Sequence, residues 1–138
     1  MKFGATEARV AAAFRDAICI DPPELTFADR ACVVKKSTYA GAPATLYFYF
    51  KGNAVVSMTA SFPQREFEPV VRAIAEIHGP PASASPAEIT WTIGEIIGTA
   101  RPRGNAPETA DVTFTTQAAI AGLGKRIEDR NRLRSRDM

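Results

Sequence analysis

Two β-prone runs joined by a short Gly-Asn turn constrain this chain more than any other feature. Leu46-Tyr47-Phe48-Tyr49-Phe50, then Lys51-Gly52-Asn53-Ala54, then residues 55–62 read as strand, four-residue turn and strand. Aromatic and β-branched side chains suit a pleated surface, and the turn residues accept the positive φ that a tight hairpin needs. Period-two alternation then assigns faces. On the second strand Val56, Met58, Ala60 and Phe62 alternate with Val55, Ser57, Thr59 and Ser61; on the first, Leu46, Phe48 and Phe50 alternate with Tyr47 and Tyr49. One set predicts core. The other puts Tyr47 and Tyr49 among hydroxyls, which suits either a recognition surface or ordinary cross-strand packing on a half-exposed sheet.

Helical spacing flanks the hairpin on both sides. Upstream, Thr6 can cap a helix in which Val10, Ala11, Phe14 and Ile18 share a side, although Arg9 stands where a capping box would have an acid. That helix must end before Asp21-Pro22-Pro23, and Ala31-Cys32-Val33-Val34 reads as a short strand before a turn at Tyr39-Ala40-Gly41-Ala42-Pro43. Downstream, Phe67, Val70, Val71, Ile74 and Ile77 recur at three- and four-residue steps, with Pro69 in the first turn and His78-Gly79-Pro80-Pro81 as the stop.

The small-residue stretch Ala82 to Pro86 reads as a linker into Ile89-Thr90-Trp91-Thr92-Ile93, whose alternation makes Trp91 a core residue. Glu95 to Thr99 resembles a partner strand, Arg101 to Pro107 a loop, and Asp111 to Thr115 a strand with Val112 and Phe114 inward. Gln117 to Leu133 can form a terminal helix with Ile120, Leu123 and Ile127 on one side, packing on its own sheet or on a second subunit; the oligomeric state is left open. The expected fold is α+β: a mainly antiparallel five- or six-strand sheet with helices packed over one face. At 138 residues the chain fits a single domain, 1–138, with 129–138 as a flexible basic tail.

Charge narrows the functional classes. Seventeen basic and 15 acidic residues give +2, but Lys125 to Asp137 alone carries six basic against three acidic residues. The body therefore has no cationic footprint for nucleic acid, and specific nucleic-acid binding is not expected. A cytosolic nucleic-acid-binding or regulatory role would rest on the Lys125 to Arg136 segment alone. No apolar run is long enough for a transmembrane segment. Read literally the chain is cytoplasmic, yet helix-like residues begin just behind Met1-Lys2-Phe3-Gly4, as in a periplasmic or exported protein whose signal has been removed.

Cys19 and Cys32 are the only cysteines. They can form a disulfide closing a loop worth about 3 kcal/mol, which would favour an oxidising compartment, or remain two reduced thiols. Catalytic signatures are sparse: there is no Walker or dinucleotide Gly-rich loop, no HExxH, no Cys-x-x-Cys and no Gly-x-Ser-x-Gly. No catalytic residue, metal ligand set or cofactor is assigned. A small enzyme would have to draw on dispersed carboxylates, Glu24 with Asp29 or Glu66 with Glu68, or on His78, which also reads as a capping or surface residue. Arg101 and Arg103 could contact an anion or keep an exposed loop soluble.

Phe67-Glu68-Pro69-Val70-Val71, Ile74, His78-Gly79-Pro80-Pro81 and then Thr90-Trp91-Thr92 resemble the helix, Gly-Pro turn and tryptophan-strand pattern of small exported proteobacterial proteins of unknown function. The pattern is similar, more distantly, to the helix-and-sheet units of beta-lactamase inhibitory proteins and of small outer-membrane assembly lipoproteins. No lipoprotein cysteine starts this chain, and it has no complete tandem repeat. The resemblance implies protein binding through an exposed sheet or loops. The leading expectation is an envelope-associated binding or protein-interaction module, with an envelope protein as partner and Tyr47, Tyr49, Arg101 and Arg103 as binding residues.

Overall fold

In the computed structural model, which describes residues 3–21, 28–102 and 108–120, the hairpin is the centre of the molecule. Strands β3 (Ala42–Lys51) and β4 (Ala54–Pro63) pair antiparallel with Phe48 opposite Met58 and Tyr47 opposite Thr59. They close through Gly52 and Asn53 at φ 58° and 59°, the left-handed geometry that matches strand twist in a two-residue loop. A bulge between Tyr49 and Phe50 interrupts the register. It corrects the expected face at the start of β4: Val55 is buried opposite Phe50, whereas Val56 is only half-buried. An extra residue on one strand resets the alternation, and from Ser57 onward the faces are as the sequence predicts.

Strand β2 (Arg30–Tyr39) is longer than expected and pairs with β3 around Ala40 and Gly41, both at positive φ. A second bulge sets Lys35 and Lys36 against Thr45, whose hydroxyl donates to the Lys35 carbonyl at 3.1 Å. Helix α1 (Glu7–Ala13) starts where predicted, with the Thr6 hydroxyl accepting from the Arg9 amide at 3.2 Å. It does not reach Ile18. Its last turn closes with the Phe14 amide on Val10, and Ile18–Ile20 becomes strand β1, paired with β2 through Ile18 opposite Val33 and Cys19 opposite Cys32. Ile18 sits at helical spacing from Phe14, but strand pairing and the Cys19–Cys32 disulfide hold it at the sheet edge.

After β4 a 3₁₀ turn leads into helix α2 (Phe67–His78), which buries Val70 and Ile74. Gly79 ends it at φ 87°, with its amide on the Ala75 carbonyl. Ile77, expected on the apolar side, is exposed. The chain then lays down β5 (Ser83–Ala84), β6 (Ile89–Ile93), β7 (Ile96–Pro102) and β8 (Thr109–Thr116) from the outer edge inward. The result is one antiparallel eight-stranded sheet in the order β1-β2-β3-β4-β8-β7-β6-β5, so each half finishes on a central strand.

The expectation of five or six strands is thus corrected to eight. The two additions are edge strands, one hidden in an apparent helix and one in an apparent linker. Each has only two or three residues, too short to show periodicity, and exists because a longer neighbour offers it hydrogen bonds. Short edges of this kind also limit unwanted strand addition.

The core lies on the helix-bearing side, where Val10, Phe48, Phe50, Phe62, Val70, Trp91 and Val112 are all essentially inaccessible to solvent. Trp91 is inward as predicted, and its indole N–H donates to the Gly79 carbonyl at 3.2 Å, tying β6 to the end of α2. Beyond β8, residues 117–120 are helical and the Thr116 hydroxyl accepts from the Ala119 amide at 3.2 Å. The rest of the expected terminal helix and the basic segment 129–138 lie outside the described residues. No described helix is long and apolar enough to cross a membrane.

Candidate functional site

The side of the sheet opposite α1 and α2 carries no described helix. Side chains on it line up across strands because antiparallel register places partners side by side. One row runs Ile18, Val33, Tyr47, Thr59, Thr113, Thr99 and Thr90. The next runs Ile20, Ala31, Tyr49, Ser57, Thr115, Ile97 and Thr92. Tyr47 and Tyr49 therefore share rows with the two exposed isoleucines of the edge strand, Ile18 at 51% and Ile20 at 47% exposure, across Val33 and Ala31 of β2. Toward the sheet centre the character changes to hydroxyls, which satisfy one another: Ser57 meets Thr115 at 2.8 Å, and Thr59 meets Thr113 at 3.0 Å.

This sorting leaves an aromatic and aliphatic patch over β1–β3, bordered by a self-paired hydroxyl seam over β4 and β8. Burial, and then the neighbouring Tyr47, push the Tyr49 phenol up from its ordinary value, so Tyr49 remains a neutral hydrogen-bonding group at physiological pH. Ile18 and Ile20 are exposed residues of this face that the sequence analysis did not single out. The signal that could have found them was the odd spacing of Ile18-Cys19-Ile20, which alternates about the cysteine and makes sense only once that cysteine is paired with β2.

Arg101 lies in β7 rather than in the expected loop. Its guanidinium pairs with Glu88 at 3.0 Å, and Asp111 stands opposite it on β8. It shares the sheet face of the tyrosines but is three strands removed from β3, a separation of about 14 Å, so the structure does not gather Tyr47, Tyr49 and Arg101 into one compact site. Arg103 lies outside the described residues.

The disulfide joins directly opposed residues of β1 and β2, with Cys32 fully buried. Glu7 lies close enough that its carboxylate and both sulfurs fall within 4.8 Å, but bonded sulfurs are not thiolates and offer no metal-ligand set. Arg30 instead takes Glu7 at 2.7 Å and Asp21 at 3.0 Å, and those bonds push its pKa further upward.

Two of the dispersed carboxylates have local partners. Asp29 accepts from the Gly52 amide at 3.1 Å, and Glu66 faces Arg65 at 3.9 Å; Glu24 lies outside the described residues. His78, in the last turn of α2, packs on Phe114 with ring centroids 6.2 Å apart. It borders a 240 Å³ cavity whose described lining includes no carboxylate. A wider, open trough of 720 Å³ lies beside the β2 bulge, where Lys35 and Lys36 share the rim with Glu108.

Fold and surface together define an α+β protein whose sheet carries α1 and α2 on one face and no described helix on the other. No family model, curated protein or solved structure matches the chain.

Proposed function

We propose that this is an envelope-associated binding module that engages a partner protein through the β1–β3 end of the sheet face opposite α1 and α2. The observation that carries the reading is the alignment of exposed Ile18 and Ile20 with Tyr47 and Tyr49 across three strands. Contiguous exposed apolar surface is uncommon away from interaction sites, and tyrosine with aliphatic neighbours and a polar border is the usual make-up of a protein interface. The half-buried Thr59 and Thr113 supply that border, while Ser57 and Thr115 beside them are buried. The disulfide supports maturation in an oxidising compartment such as the periplasm.

The test is comparative capture from envelope and cytosolic fractions with the oxidised protein, a Tyr47→Ala/Tyr49→Ala variant and an Ile20→Asp variant. One envelope protein retained by the parent and lost by both variants, with thermal melting preserved, is the expected result. Capture that survives both variants, or that comes only from cytosol, would refute the reading. If the patch instead joins two copies of this chain, the parent will sediment as a dimer and Ile20→Asp as a 14.9 kDa monomer.

A further inference from the structure

On the helix-bearing side of the sheet, a 240 Å³ cavity lies between Phe3 of the N-terminal segment and His78 at the end of α2, separate from a 560 Å³ trough lined by Phe67, Val71 and Ile89. Phe3, Phe48, Phe114 and Met58 are among its walls, and its polar lining consists of Tyr39 and His78. These two arrive from opposite directions. Tyr39 ends β2 beyond the bulge at Lys35 and Lys36, a distortion that bends a strand and re-aims the side chains beyond it. His78 comes from the last turn of α2.

Neither the phenol nor the imidazole has a hydrogen-bond partner among the described residues; the His78 ring packs on Phe114. Tyr39 is half-buried and His78 is exposed, and an apolar cavity with a few polar groups in its lining is the usual form of a small-molecule site. Burial pushes the Tyr39 phenol up to about 12, so it offers an O–H donor throughout the physiological range, and the imidazole offers at least one N–H in either charge state.

We propose that this cavity binds a small aromatic carboxylic acid, its ring held among the phenylalanines and its carboxylate accepting hydrogen bonds from Tyr39 and His78. Size sets the class. A cavity of about 150 Å³ holds benzene, so 240 Å³ suits a ligand of roughly ten heavy atoms. The walls favour an aromatic body through offset and edge-to-face contacts. A carboxylate can accept from both donors at once, and no acid in the described lining repels it.

The experiment titrates benzoate and phenylacetate into the full oxidised chain, followed by backbone amide NMR, with toluene as the probe that lacks the acid. Saturable shifts centred on Tyr39, Met58, His78 and Ile96 are expected. Tyr39→Phe and His78→Gln should each weaken binding by about tenfold, the scale of one hydrogen bond to a charged group. Met58→Trp, which fills the cavity, should abolish binding while leaving distant amides unmoved. The proposal is overturned by an absence of shifts at millimolar acid, by equal binding of toluene, or by binding that persists in the Tyr39→Phe/His78→Gln variant. It is equally overturned if the free protein shows proton contacts from Phe48 or Phe114 to Leu123 or Ile127, because the chain would then fill its own cavity.

Discussion

The two halves of the sheet share one plan and are held together differently. Each has a helix, a very short edge strand and three longer strands ending at the centre, where β4 meets β8. In the second half, α2 has 12 residues and buries Val70 and Ile74, while Trp91 packs beneath it and bonds its terminus. In the first half, α1 has seven residues and buries only Val10. That half makes up the difference with staples: the disulfide, the Arg30 bonds to Glu7 and Asp21, and backbone bonds joining Gly4 and Ala5 to Val55. A helix too short to supply much apolar area leaves its sheet dependent on covalent and polar ties, whereas a full-length amphipathic helix secures its half by packing.

The sharpest way to break the packed half is Trp91→Ala. It removes the largest fully buried side chain and the bond to Gly79, and should cost about 3 to 5 kcal/mol in denaturant unfolding. For the stapled half the counterpart is reduction, or Cys19→Ser/Cys32→Ser, with an expected loss of about 3 kcal/mol. If the contrast between the halves holds, amide exchange after reduction will accelerate in β1 and β2 while β6 and β7 stay protected.

Gly98→Ala tests how tightly the packed half is fitted. An added Cβ would lie 2.6 Å from Phe114 Cε1, and the substitution should cost about 1 to 3 kcal/mol, reduced by however far the ring can swing into the adjoining cavity. A smaller change of opposite sign is expected at the β2–β3 turn, where Ala40 sits at φ 50°. Ala40→Gly should stabilise by about 0.5 to 1 kcal/mol, raising the melting temperature.

The smallest effect is spectroscopic. Tyr39, neutral and half-buried in the stapled half, should give an ultraviolet titration step near its raised pKa of about 12, and Tyr39→Phe should remove that step. The sign for stability comes from the same shift. With the folded pKa above the ordinary value of about 10, the contribution is complete below pH 10 and is lost as pH rises toward 12. Alkaline melting should therefore be shallower in Tyr39→Phe.

Long-patterned elements of this protein are determined locally. The hairpin, α2 with its Gly79 stop, the inward Trp91, and Val112 with Phe114 on β8 all come from alternation or helical spacing sustained over several residues. So does the outward placement of Tyr47 and Tyr49, because a strand's two faces are set by its pleat once the core face is known. Features created by a partner strand have no such local signal. The edge strands β1 and β5, the bulges at Val34–Ser37 and Tyr49–Phe50, and the strand setting of Arg101 depend on hydrogen bonds and register supplied from elsewhere in the chain.

The same division applies to the two candidate sites. Alternation alone puts hydroxyls and tyrosines on one face, and the Gly-Pro stop alone puts the single histidine in the last turn of α2. Assembly of the sheet was needed to set Ile18 and Ile20 in rows with those tyrosines, and to bring Tyr39 and His78 to one cavity from positions 39 residues apart. Alternation and capping act through neighbouring backbone bonds, whereas cross-strand rows and cavities come from the order in which the strands assemble, and no local periodicity encodes that order.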